Sequence, residues 1–155
     1  MWKFSKVDVI ISPKTNEREE KIINYLMKDG KKAVAKRIYN DMLKEVKLAG
    51  HMNPNSVVET AIENAAPTIM VKSKRVGGSV YQVPVEVKPK KRLFYSIKWI
   101  LEASRGKSGK PMFKRLAEEL LAAYSGQGAA VKKKEEVHKM ADANKAFAYM
   151  AKYIN

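Results

Sequence analysis

Between Val71 and Arg92 the chain reads VKSKRVGGSVYQVPVEVKPKKR, and this stretch constrains the fold more than any other. On either side of it apolar residues recur every three to four positions, as on a helix face. Within it Val80–Val87 follows a strand pattern instead. Gly77-Gly78 supplies the positive φ angles that a two-residue hairpin turn demands, which predicts a β-hairpin over about residues 70–88. With the turn there, Val76 pairs with Ser79 and Lys74 with Tyr81. Pro84 has no N–H for a ladder, so its strand must be an edge. A two-stranded ribbon meets that condition and a central sheet does not.

The same segment is cationic from end to end. Lys72, Lys74, Arg75, Lys88, Lys90, Lys91 and Arg92 face the single acid Glu86. An isolated hairpin is marginal in water, and one with this much like charge repels itself. It therefore needs packing and an anionic partner, and nucleic acid is the polyanion best able to remove the repulsion.

The rest of the chain predicts helices. Asn16 and Glu19 offer a capping box for a short helix carrying Ile22, Ile23 and Leu26, which Gly30 ends. A second runs from about Lys32 to Ala49, with Ala35, Ile38, Met42 and Val46 on one face. Asn53-Pro54 caps a third, carrying Val57, Val58, Ala61, Ile62 and Ala65 and closed by Pro67. A fourth spans about Lys90–Ser104 with Leu93, Phe94, Ile97, Ile100 and Leu101 inward. Pro111 opens a fifth, with Met112, Leu116, Leu120 and Ala123 inside and Gly126 at its end. Lys132-Lys133-Lys134 reads as a basic turn before a final helix that carries Val137, Met140, Ala141, Asn144, Phe147 and Ala148. Phe94, Trp99, Phe113 and Phe147 are assigned to the core. Tyr81 has two uses open to it: stacking on a base or ribose, or packing the hairpin base onto the domain.

The expected fold class is mainly α: a single domain of about six helices with one protruding two-stranded β-hairpin. Residues 1–15 read as an irregular arm, with a short strand at Val7–Ile11, and 16–155 as the helical domain. A length of 155 residues with 45% apolar content supports one real core. Met1–Lys6 shows no secretory core, which predicts a protein that works where it is made or has been processed.

Charge narrows the function. The 31 Lys+Arg outnumber the 16 Asp+Glu, leaving a net charge of +15. Zero cysteines exclude disulfides and thiolate metal sites. No phosphate-loop, dinucleotide, zincin or nucleophile-elbow motif occurs, and the neighbours Glu118-Glu119 and Glu135-Glu136 read as mostly solvent-facing helix acids. His51 and His138 are far apart in sequence, and His138 lies one turn from Asp142, which predicts a local helical pair. Neither an enzyme nor a cofactor is expected.

Three further basic runs accompany the hairpin. Arg105, Lys107, Lys110, Lys114 and Arg115 lie in a stretch without an acid between Ser104 and Arg115. Lys28, Lys31, Lys32, Lys36 and Arg37 surround a glycine turn, opposed by Asp29. Lys132–Lys134 form the last run with Lys139 and Lys145. All sit at turns or helix beginnings, where backbone N–H groups also meet phosphates. A basic ribbon suits a DNA-bending protein too, and a basic amphipathic helix suits a membrane surface. The apolar faces here are needed for the core, so a membrane partner is not expected.

The segments Asn24–Lys32, Glu63–Pro67, Arg75–Val87 and Lys132–Ala148 together resemble the family of small-subunit ribosomal protein number seven of bacteria, chloroplasts and mitochondria, over nearly everything from Asn24 to Tyr149. The string RVGGxxYQVPVEV is its most specific element. The resemblance implies a helical domain with a protruding hairpin that binds the 3′ major (head) domain of small-subunit rRNA and nucleates head assembly. It places the hairpin near mRNA and the exit-site tRNA, with neighbouring small-subunit proteins as further partners. Positions matching the family's rRNA-contacting motifs are Lys31, Lys32, Lys72, Lys74, Arg75, Lys90, Lys91, Arg92, Arg105, Arg115, Lys132, Lys133, Lys134, His138 and Lys145. Bacterial members begin with an Arg-rich arm and a Pro-Asp pair, whereas Met1–Pro13 here is more apolar. Lys72, Lys74 and Lys145 stand where the bacterial pattern has arginine. The implied location is a ribosome, in a bacterial cytoplasm or an organelle, with the lysine-rich drift favouring the mitochondrial matrix.

Overall fold

A computed structural model describes residues 17–154; the expected arm, the Val7–Ile11 strand and the Asn16 capping box lie outside the described residues. Helix α1 (Glu17–Leu26) leads through the left-handed pair Asp29–Gly30, at φ 53° and 72°, into α2 (Lys32–Leu48). The Asn53 side chain accepts a hydrogen bond from the Ser56 N–H at 3.4 Å, and Pro54 begins α3 (Pro54–Ala65). After buried Pro67 come β1 (Ile69–Val76) and β2 (Ser79–Glu86), then α4 (Pro89–Gly106), α5 (Met112–Tyr124) and α6 (Ala129–Ala143). A 3-10 helix, Lys145–Tyr153, follows.

The core is the meeting of one apolar stripe from each helix. Tyr39, Met42 and Val46 of α2, Val58, Ala61 and Ile62 of α3, Ile97 and Ile100 of α4, and Leu116 and Leu120 of α5 form one cluster. Each large side chain so buried contributes on the order of 1.5–3 kcal/mol. Helix α1 adds Ile22, Ile23 and Leu26, and α6 adds Ala130 and Val131. Trp99 is in the core as expected, while Phe113 packs half-buried at its edge.

The hairpin has the expected register: Val76 opposite Ser79 and Lys74 opposite Tyr81, with Gly77 and Gly78 at φ 58° and 85°. Ser73 and Gln82 exchange side-chain hydrogen bonds across it. The ribbon is not free along its whole length. Val83 and Pro84 are buried, and the base packs on α6 and the 3-10 helix. Tyr81 packs against Phe147, with ring centroids 5.2 Å apart and planes tilted by 59°, so Phe147 covers the hairpin instead of filling the helical core.

The last two elements correct the sequence reading. Lys132–Lys134 are not a turn: they lie inside α6, which starts at Ala129. The Glu119 carboxylate, from the middle of α5, accepts a hydrogen bond from the Ala130 N–H at 3.1 Å. That cap comes from another element, so no local signal marks the helix start. The helix then ends at Asn144, whose side-chain amide donates back to the Met140 carbonyl at 2.8 Å, so Phe147 and Ala148 belong to the separate 3-10 helix.

Candidate nucleic-acid interface

Helix beginnings carry partial positive charge and unpaired N–H groups, so acids normally sit there. Here α1 obeys the rule with Glu17, Glu19 and Glu20, and α3 has its Asn53 cap. Helices α2, α4 and α5 do the opposite, whereas α6 receives the Glu119 carboxylate at its Ala130 N–H. None has an acid in its first turn or a cap from its own N-cap side chain. Lys31 and Lys32 open α2; Lys90, Lys91 and Arg92 open α4; Lys114 and Arg115 open α5; Lys132, Lys133 and Lys134 follow in α6 behind its first three residues. A cation at such an end is unfavourable by a few tenths of a kcal/mol to about 1 kcal/mol. A bound phosphate reverses the sign of each of these terms.

The expected ligands divide by what they already do. Lys31, Lys32, Lys72, Arg75, Lys90, Lys132, Lys133 and Lys145 are exposed. Lys91 lies 5.5 Å from the Phe94 ring centre. Lys74 donates to the Tyr153 carbonyl at 2.5 Å and sits 5.2 Å from that ring, fastening the hairpin to the 3-10 helix. Arg105 donates to the Tyr25 carbonyl at 3.1 Å, and Arg115 to the Lys107 carbonyl at 2.6 Å. The first bond ties the 105–115 run to the end of α1, and Lys28, Lys31, Arg105 and Arg115 of the second and third runs, far apart in sequence, line one cleft. The Nε atoms of Arg92 and Arg115 are buried with no hydrogen-bond partner among the described residues.

Other ligands are committed to acids. Lys110 pairs with Glu118, and that hydrogen bond holds the Glu118 carboxyl below its ordinary value. Lys107 stands 3.3 Å from the second oxygen of Glu119. Glu119 is 1% exposed, against the expectation that such helix acids mostly face solvent. It therefore positions both the α4–α5 loop and the start of α6.

His138 does not pair with Asp142 among the described residues; the helix turns its ring toward the hairpin base. Its Nε2 accepts a hydrogen bond from the Thr68 N–H at 3.1 Å. Burial, then the neighbouring Lys134 ammonium, lowers its pKa, which favours the neutral ring that an acceptor must be. Lys134 donates to the Asn64 carbonyl at 3.0 Å, and the Asn64 amide donates to the Ala123 carbonyl at 2.9 Å. The Glu63–Pro67 segment thus ties α3, α5 and α6 together, a role of Asn64 that periodicity could not show.

Among the described residues no group of three or more His, Asp or Glu could hold a metal, and no helix is long and apolar enough to cross a membrane.

Residues 3–145 match the family described as Ribosomal protein S7p/S5e. The chain is similar to "Small ribosomal subunit protein uS7" of Laribacter hongkongensis, 51% identical over 145 residues and 93% of each chain. It is also similar to the uS7 of Pseudothermotoga lettingae, 49% identical over 130 residues and 84% of each chain. With the uS7 of Alkalilimnicola ehrlichii it shares 46% identity over 145 residues and 93% of each chain. A helical body with one hairpin, three reversed helix starts and these likenesses agree, and the chain belongs to the ribosomal protein S7p/S5e family.

Proposed function

We propose that this chain, by its family a structural and non-enzymatic component of the small ribosomal subunit, binds the 3′ major domain of the small-subunit rRNA and nucleates assembly of the head. Its hairpin tip then lies near mRNA and the exit-site tRNA, and other small-subunit proteins adjoin it. The bacterial relatives favour a bacterial cytoplasm as its location, with an organelle of bacterial descent as the alternative.

One observation carries the reading: three helices, α2, α4 and α5, begin with cations and no acid in the first turn. The helical core holds these starts at fixed separations, so the protein can read RNA shape through phosphate positions. Arg75, Lys72, Lys90, Lys91 and Arg92 extend the surface along the hairpin and its base, and Lys145 extends it past α6. Lys107 and Lys110 enter it only by exchanging their acids for phosphates.

Titration of the purified chain against the head-domain rRNA at increasing salt tests this. Affinity is expected to fall steeply, with a log–log slope near one per phosphate contacted. A flat plot, or equal affinity for duplex DNA of the same length, would sink it.

A further inference from the structure

The second and third basic runs enclose a cleft of about 330 Å³ between α1, α2 and the α4–α5 connection. Its volume is at the lower end of the range of about 300–1,000 Å³ typical of small-ligand sites. Met27, Val34, Ile38 and Met112 supply an apolar floor. Lys28, Lys31, Arg105 and Arg115 supply the rim, and no acid among the described residues lines it. Arg105 and Arg115 are pinned by carbonyls, so two of the four cations are held in place before anything binds. The Nε of Arg115 is buried behind this rim, without a hydrogen-bond partner among the described residues.

A phosphate alone explains the rim but not the floor. An apolar side chain explains the floor but not four cations with no acid among the described lining residues. An unpaired nucleotide satisfies both halves: its base is a flat, weakly hydrated body and its phosphates are anionic. Sequence-specific RNA recognition works largely on such splayed-out bases, and methionine sulfur contacts aromatic rings favourably. We infer that this cleft receives one unpaired nucleotide extruded from the bound RNA, with the base on Met27, Val34, Ile38 and Met112 and its flanking phosphates on Lys28, Lys31 and Arg105. The inference rests on the RNA-binding reading above and adds a base-reading site to a surface otherwise limited to backbone contacts.

Val34 is 40% exposed, so Val34→Trp fills the cleft from its apolar floor with little demand on the core. The experiment is base-specific chemical probing of the head-domain rRNA with the full chain and with this variant, circular dichroism checking the fold. The wild-type chain is expected to protect one unpaired nucleotide, and Val34→Trp to lose that protection alone. Making that nucleotide abasic should weaken wild-type binding about tenfold, the order of one lost base contact, and should cost Val34→Trp nothing further. The surface pair Lys28→Glu and Lys31→Glu should lose the same protection, which keeps the test decisive if the tryptophan variant misfolds. A photocrosslinker at position 34 in assembled subunits should label RNA. Unchanged protections in the variants, or labelling of a neighbouring protein, would overturn the cleft while leaving RNA binding standing. Failure of the wild-type chain to bind would overturn the RNA-binding reading itself.

Discussion

The Glu119 carboxylate holds the Ala130 N–H with one oxygen and the Lys107 ammonium with the other. Gly128 makes room for it: a Cβ there would stand 2.9 Å from Glu119 Oε1, at a φ of 97° that side chains rarely adopt. Glu119→Ala is expected to destabilise the protein by about 2–3 kcal/mol in urea unfolding. Lys107 is only partly buried, so the loss stays below that for a fully buried pair, and the missing cap adds about 1 kcal/mol. A loss under half that size would mean that α6 starts without this cap. His138 gives a pH dependence of known sign. Its folded pKa lies below the ordinary 6.5, so the unfolded chain binds the proton more readily. The stability it contributes is complete above 6.5 and is lost as pH falls below it, when the ring can no longer accept from Thr68. Thermal unfolding from pH 8 to pH 5 should show this fall, and His138→Gln should flatten it. An identical profile in the variant would assign the fall to other groups.

At the scale of elements, the hairpin divides into a docked base and a projecting tip. Lys74 and Tyr81 hold the base to Tyr153 and Phe147, whereas Arg75 to Val80 are exposed. Removing Arg75–Val80 and closing the turn with two glycines spares those contacts. Such a chain is expected to bind head-domain rRNA within about threefold of wild type, because it loses one phosphate-sized cation. Reconstituted subunits carrying it should show an altered tRNA footprint at the exit site. Complete loss of rRNA binding would assign the tip to rRNA instead. The helix starts behave differently, since each contributes several cations at once.

For the whole molecule the charge total matters less than its placement. The sequence sets a net charge of fifteen positive units, but only a folded body fixes the distances between clusters. Replacing Lys132, Lys133 and Lys134 by alanine together should lower affinity and reduce the salt slope by roughly 2 to 3, one per lost phosphate contact. An unchanged slope would remove the start of α6 from the interface. The hairpin and its register were legible because Gly77-Gly78 and Pro84 act on their own backbone, and α3 was legible because Asn53-Pro54 caps it locally. Alternation and helical spacing are short-range properties, so the chain by itself determined the helical body, the ribbon and the surplus of cations. Contacts between distant segments decided the remainder. Glu119 reaches α6 from eleven residues away, His138 reaches Thr68 across 70, and Arg105 reaches Tyr25 across 80. Hydrogen bonds of that kind depend on where the packed core places two elements, and no local pattern encodes that position.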